Sequence, residues 1–230
     1  MISKYVKKIF YVFGSLAILC GLFIYWATRD IPLPNNAKKE GNMIHIDISD
    51  EATDEAEKKE ALFIVPEKFA PKVSEGAIAF NFKFPVATPY TGNETPVPLD
   101  SVRVVIKHHA KIEAARSSYY LRNLQPKGGK LFSTLWFVES KDGVEMYQYK
   151  LSATTTGTYF NFIAKDGNNI LAESPEDWAR AYEINRQLSP HIELIYLLPK
   201  NLIRDSKHFV EDVTTVDNVV LKLVHSFQSK

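Results

Sequence analysis

The chain has 230 residues, and 28 basic against 27 acidic side chains leave a formal net charge of +1. Hydrophobic residues make up 45% and charged residues 24%, which excludes a disordered chain and a strongly basic nucleic-acid binder. The single cysteine, Cys20, excludes an intrachain disulfide and a cysteine-based zinc site.

Ile9 to Ala27 reads IFYVFGSLAILCGLFIYWA and carries no charge. At 1.5 Å per residue, about 20 helical residues cross roughly 30 Å of hydrocarbon. Tyr11 at one end, and Tyr25 and Trp26 at the other, suit the two membrane interfaces. A cleaved signal peptide has a shorter apolar run, of about 7–15 residues, that ends at small residues. This run is longer and ends in Tyr25-Trp26-Ala27-Thr28. A lipoprotein site resembles a small residue before the modified cysteine, whereas Leu19 precedes Cys20 and an apolar stretch follows it. Residues 9–27 therefore predict an uncleaved transmembrane signal anchor. Lys4, Lys7 and Lys8 precede it, and Arg29 beside Asp30 follows. This asymmetry favours a cytoplasmic tail at residues 1–8, too short for an output domain. The expected location is the bacterial inner membrane, single-pass, with the C-terminal domain in the periplasm.

Residues 28–42 read as a linker stiffened by Pro32 and Pro34, and residues 43–230 as one extracytoplasmic α+β domain. Met43 to Ile48 alternates as a short strand. Asp50 to Glu60 is mostly charged with almost no apolar face, either an exposed helix or a loop, and lacks the spacing of a calcium loop. Ala61 to Val65 is an apolar run. Ala77 to Val86 alternates, with Phe80, Phe82 and Phe84 on one face. Ala87 to Leu99 reads as a loop, Val102 to Lys107 as a strand, Ile112 to Leu121 as a short helix and Gln125 to Gly129 as a turn. Leu131 to Glu139, Val144 to Leu151 and Tyr159 to Ala164 predict an antiparallel meander. Asp142-Gly143 makes its first hairpin, of type I′, and Asp166-Gly167 turns the chain toward Ile170-Leu171. Ser174 as N-cap, Pro175, and the stripe Trp178, Ala181, Tyr182 and Leu188 predict a helix ending at Pro190. His191 to Leu198 reads as a buried strand. Val210 to Phe227 mixes helical spacing with β-prone valines and is expected to be a closing strand. The predicted fold is a mostly antiparallel sheet with one or two packed helices behind a transmembrane helix.

Motifs for known chemistry are missing from the sequence. There is no G-x-S-x-G elbow and no H-E-x-x-H, and Lys127-Gly128-Gly129-Lys130 matches no phosphate loop. His108 and His109 are adjacent, so a strand would point them to opposite faces. His191 and Glu193 are two apart and would share a face, the one local pair with acid–base spacing. Glu176-Asp177 fit a helix N-terminus, and Asn93-Glu94-Thr95 is a formal glycosylation sequon. No catalytic residue, metal site or cofactor is expected. Arg116, Tyr119, Tyr120 and Arg122 form an aromatic–basic cluster of the composition found at interface hot spots and are the expected binding residues. The function expected from these features is a membrane-anchored protein-binding protein without catalytic activity. It would act as an immunity protein against an envelope-acting toxin or as an envelope-complex scaffold. The alternative is an envelope hydrolase whose site is assembled from distant residues. A nucleic-acid partner is not expected.

Overall fold

The computed structural model describes residues 33–49, 54–90, 99–109, 135–150, 156–174 and 180–229. Residues 9–27 lie outside these, and no helix among the described residues is long and apolar enough to cross a membrane. Pro34 to Lys230 forms one unit.

A small antiparallel sheet begins it. β1 (Ala37–Glu40) turns at Gly41, where φ is +60°, into β2 (Met43–Asp47), which pairs with β3 (Leu62–Pro66). Part of the expected linker is thus a paired strand. The Gly41-Asn42 turn supplies the reversal, and β1 carries too little apolar alternation for its sequence to announce it. Between β2 and β3 the charged stretch forms a short helix, α1 (Glu55–Glu60).

The large sheet is antiparallel throughout. Its strands are β4 (Lys72–Ser74), β5 (Ala77–Lys83), β6 (Thr88–Pro89), β7 (Ser101–His108), β8 (Leu135–Lys141), β9 (Val144–Lys150), β10 (Thr156–Ile163), β11 (Asn169–Ser174), β12 (Ala181–Gln187) and β13 (Ile192–Pro199). Their order is β4-β5-β7-β13-β12-β11-β10-β9-β8, with β6 alongside β5. The expected meander is present as β8 to β11, and β12 and β13 continue it. Its first hairpin turns at Asp142 and Gly143, with φ of 52° and 78°, the paired positive values of a type I′ turn. Gly167, at φ 83°, turns β10 into β11.

Two expectations fail, for opposite reasons. The stretch expected to be a helix after Ser174 contains β12, and Ser174 itself ends β11; residues 175–179 lie outside the described residues. Tyr182, Ile184 and Arg186 share one face of β12, so the strand does alternate, but a charged residue occupies an interior position and hides the period. The expected closing strand is α2 (Phe209–Phe227). Phe209, Val213, Val216, Val220, Val224 and Phe227 are buried on one stripe at helical spacing. Packing of that stripe outweighs the β preference of valine, which is worth only tenths of a kcal/mol per residue.

α2 packs on one face of the large sheet. Phe209 meets Phe160 and Tyr182, and Phe227 meets Phe80 and Phe69, all at ring-centroid distances of 4.6–5.4 Å. Ile44, Ile46 and Phe63 of the small sheet join the same core. The C-terminus is tied back to β3, where the Ser229 backbone N–H donates to Leu62 at 3.0 Å.

One buried ionic cluster crosses this core. Arg186 of β12, 1% exposed, donates from one terminal nitrogen to Asp217 of α2 and from the other to Asp166 of the β10–β11 turn. Tyr196 of β13 donates to Asp217 at 3.0 Å. Among the described residues the Arg186 Nε has no hydrogen-bond partner. Burial pushes the Asp217 carboxyl up, and burial beside Asp217 pushes the Tyr196 phenol well up. Burial also opposes ionisation of Asp166, but hydrogen bonds from Asn168 and Arg186 outweigh it and hold that carboxyl below its usual range.

Candidate functional site

Strand alternation builds the site. On β7, Val102, Val104 and Ile106 are buried toward α2, which turns Arg103, Val105 and Lys107 to the other face. On β13, Leu194, Tyr196 and Leu198 enter the core, and Glu193, Ile195 and Leu197 face outward. On β12, Glu183, Asn185 and Gln187 do the same. Register aligns them in rows. Arg103 lies beside Leu197 and then Glu183, Val105 beside Ile195 and then Asn185, and Lys107 beside Glu193 and then Gln187.

Arg103, Val105, Lys107, Glu183, Ile195 and Leu197 line an open depression of about 210 Å³. Its floor is apolar: Ile195 is buried, Val105 half-buried and Leu197 37% exposed. Its β7 wall is cationic. Arg103 and Lys107 are exposed, and among the described residues neither side chain makes an ion pair or hydrogen bond. They are four positions apart on the strand, about 13 Å.

The acids of this face are held differently. Glu193 is 1% exposed, and its Oε2 lies 2.9 Å from Nε2 of His109, just past the end of β7. A carboxylate accepts, so Nε2–H donates. His191 takes other partners: its Nδ1–H donates to the His109 carbonyl at 3.0 Å, and its ring stacks on His108 at 6.1 Å. The adjacent histidines have different partners, His108 the His191 ring and His109 the Glu193 carboxylate. The expected pair of His191 with Glu193 does not form, because β13 begins only at Ile192 and His191 lies in the preceding bend. Sequence reading missed the His109–Glu193 pair because 84 positions separate the two residues.

Further along the same face, Tyr149 donates to Glu173 at 2.6 Å and stacks on Tyr159 at 4.7 Å. Asn161 donates to Glu145 at 2.9 Å. The side-chain carbonyl oxygens of Asn161 and Asn185 are buried without a partner among the described residues.

The expected binding residues Arg116, Tyr119, Tyr120 and Arg122 lie outside the described residues, as do Glu176, Asp177 and the Asn93 sequon. Among the described residues, no three histidine or acidic side chains converge in a way that could hold a metal ion. No family model, curated protein or solved structure matches the chain.

Proposed function

We propose that the protein is a membrane-anchored, extracytoplasmic protein-binding protein, with the depression over β7, β13 and β12 as its docking surface. In this reading residues 9–27 hold it in the bacterial inner membrane and residues 43–230 work in the periplasm. The observation that carries it is the make-up of the depression. An apolar centre of Ile195, Val105 and exposed Leu197 is rimmed by Arg103, Lys107 and Glu183, which is the anatomy of a protein interface. Its volume supports the same choice. About 210 Å³ is below the roughly 300–1,000 Å³ typical of small-molecule pockets. An open depression of that size fits a side chain or a strand of a partner. Tethering would raise the effective concentration of such a binder toward the millimolar range at the membrane. That serves an immunity protein facing an envelope-acting toxin and equally a scaffold of an envelope complex.

A second reading, an envelope hydrolase, draws on the buried Glu193 that orients His109. A carboxylate-held imidazole is one half of an acid–base site. Crosslinking separates the two. The tagged full-length chain is crosslinked in its own host, solubilised and purified, and captured proteins are identified. One stoichiometric partner, a secreted toxin or an envelope component, supports the binding reading. A folded monomer without a partner argues against it and turns attention to His109 and Glu193.

A further inference from the structure

We infer that the depression takes an acidic, extended segment of a protein partner. The inference rests on the binding reading above and adds the partner's chemistry. Charge on this face is sorted by exposure. The cations Arg103 and Lys107 are exposed and carry no ion pair among the described residues. Two acids on this face are withdrawn: Glu193 is 1% exposed and bound by His109, and Glu173, beside Glu183 on β11, is 7% exposed, while Glu183 itself is half-buried on the β12 rim. Along β7 a partner therefore meets two exposed cations, against one half-buried acid, Glu183, on the opposite rim. Lys72 of β4 is also exposed on this face, since its neighbour across the pair is Ala79 and that of Val73 is the buried Ile78.

Spacing narrows the partner to an extended chain. Residues i and i+4 of a strand lie about 13 Å apart on one face, the same span that separates Arg103 from Lys107. Residue i+2 then sits over Val105 and Ile195. The motif read by the site is acid, any residue, apolar, any residue, acid. A lipid headgroup layer would satisfy the two cations but leave the recessed apolar floor unfilled, so a protein segment is the better occupant.

The test uses full-length chain in a zwitterionic detergent and a fluorescein-labelled peptide, Gly-Glu-Val-Leu-Val-Glu-Gly, with Gly-Lys-Val-Leu-Val-Lys-Gly as control. Anisotropy should show saturable binding of the glutamate peptide only, weakened by salt as screening requires. Arg103→Glu with Lys107→Glu should weaken it at least tenfold, and Arg103→Lys with Lys107→Arg should restore most of it. Both positions are exposed, so the variants keep the parent's unfolding midpoint. Equal binding of the two peptides, or no binding of either, overturns the inference. Vesicles containing phosphatidylglycerol are the third probe. If they bind the parent but not the glutamate variant, and the acidic peptide does not compete, the occupant is a lipid surface and the inference fails. A photo-crosslinker at Leu197, used in the host, separates this failure from failure of the binding reading. A protein product that survives Arg103→Glu with Lys107→Glu overturns the acidic partner and leaves protein binding intact. No product in the parent overturns both.

Discussion

Replacing Asp217 with Ala strands the charge of Arg186 in the core. Arg186 is 1% exposed and Asp217 2%. Removing one partner of such a pair typically costs about 3–5 kcal/mol, because the other charge stays buried without compensation. Asp166 still holds one terminal nitrogen of Arg186, which places the ionic part near the lower end, about 3 kcal/mol. Tyr196 also loses the acceptor of its hydroxyl, and an unsatisfied buried group adds about 1 kcal/mol or more. The expected total is about 4 kcal/mol, a large part of the roughly 5–15 kcal/mol that stabilises a typical domain. Replacing the whole cluster should cost less than breaking it. Arg186→Met, Tyr196→Phe and Asp217→Leu together remove every buried polar group of the cluster and should lie within about 2 kcal/mol of the parent. Urea unfolding of the full-length chain in mild detergent, followed by far-UV circular dichroism, measures both, with an unchanged m-value as the check that the same surface unfolds. An Asp217→Ala cost under about 1 kcal/mol would show that the Arg186 charge is not stranded. So would a triple variant less stable than the single one.

The β8–β9 hairpin gives a second test. Gly143 sits at φ 78° with nothing near its missing side chain. Gly143→Ala should therefore cost about 1 kcal/mol through backbone strain alone, read as a lower unfolding midpoint. At Gly157 the backbone is ordinary but the space is full. A methyl group there would lie 2.2 Å from the Tyr149 ring, which Glu173 and Tyr159 hold in place. Gly157→Ala should cost about 1–3 kcal/mol, and Tyr149→Ala in the same chain should remove most of that penalty. Acid stability follows from Asp212. Burial opposes its ionisation, but the Arg204 guanidinium and the Arg204 backbone N–H, both at 2.8 Å, hold its carboxyl below its ordinary value of 3.8. A lowered carboxyl stabilises the fold above its unfolded value, and that stability is lost as pH falls through the folded one. Asp212→Asn should therefore be less stable than the parent at pH 7, and the two should converge as the pH falls below the ordinary carboxyl value of 3.8 and through the lower folded one. A constant difference from pH 7 to pH 2 would contradict it.

Local chemistry was legible in the sequence. Asp142-Gly143 needs only its own two residues to specify a type I′ turn, and β5, β7 and β13 carry clean alternation or a continuous apolar run. Interior features set by distant partners were not legible. β12 looked helical because Arg186 occupies a core position, and only Asp217 and Asp166, from elsewhere in the chain, make that position tolerable. α2 looked like a strand because valine is β-prone, and only the facing sheet rewards the stripe from Phe209 to Phe227. The depression failed to appear for the same reason. Arg103 and Lys107 read as the solvent side of an ordinary strand until register brings Ile195, Leu197 and Glu183 beside them.

Docking of a protein partner on the face of the sheet away from α2 is the central claim, and site-specific photo-crosslinking in the host addresses it most directly. The crosslinking residue replaces Leu197 in the depression or, as a control, Val86, which is 74% exposed in the turn after β5. A discrete protein adduct is expected at position 197 and none at position 86. Adducts of equal yield at both positions, or none at position 197, would contradict that claim.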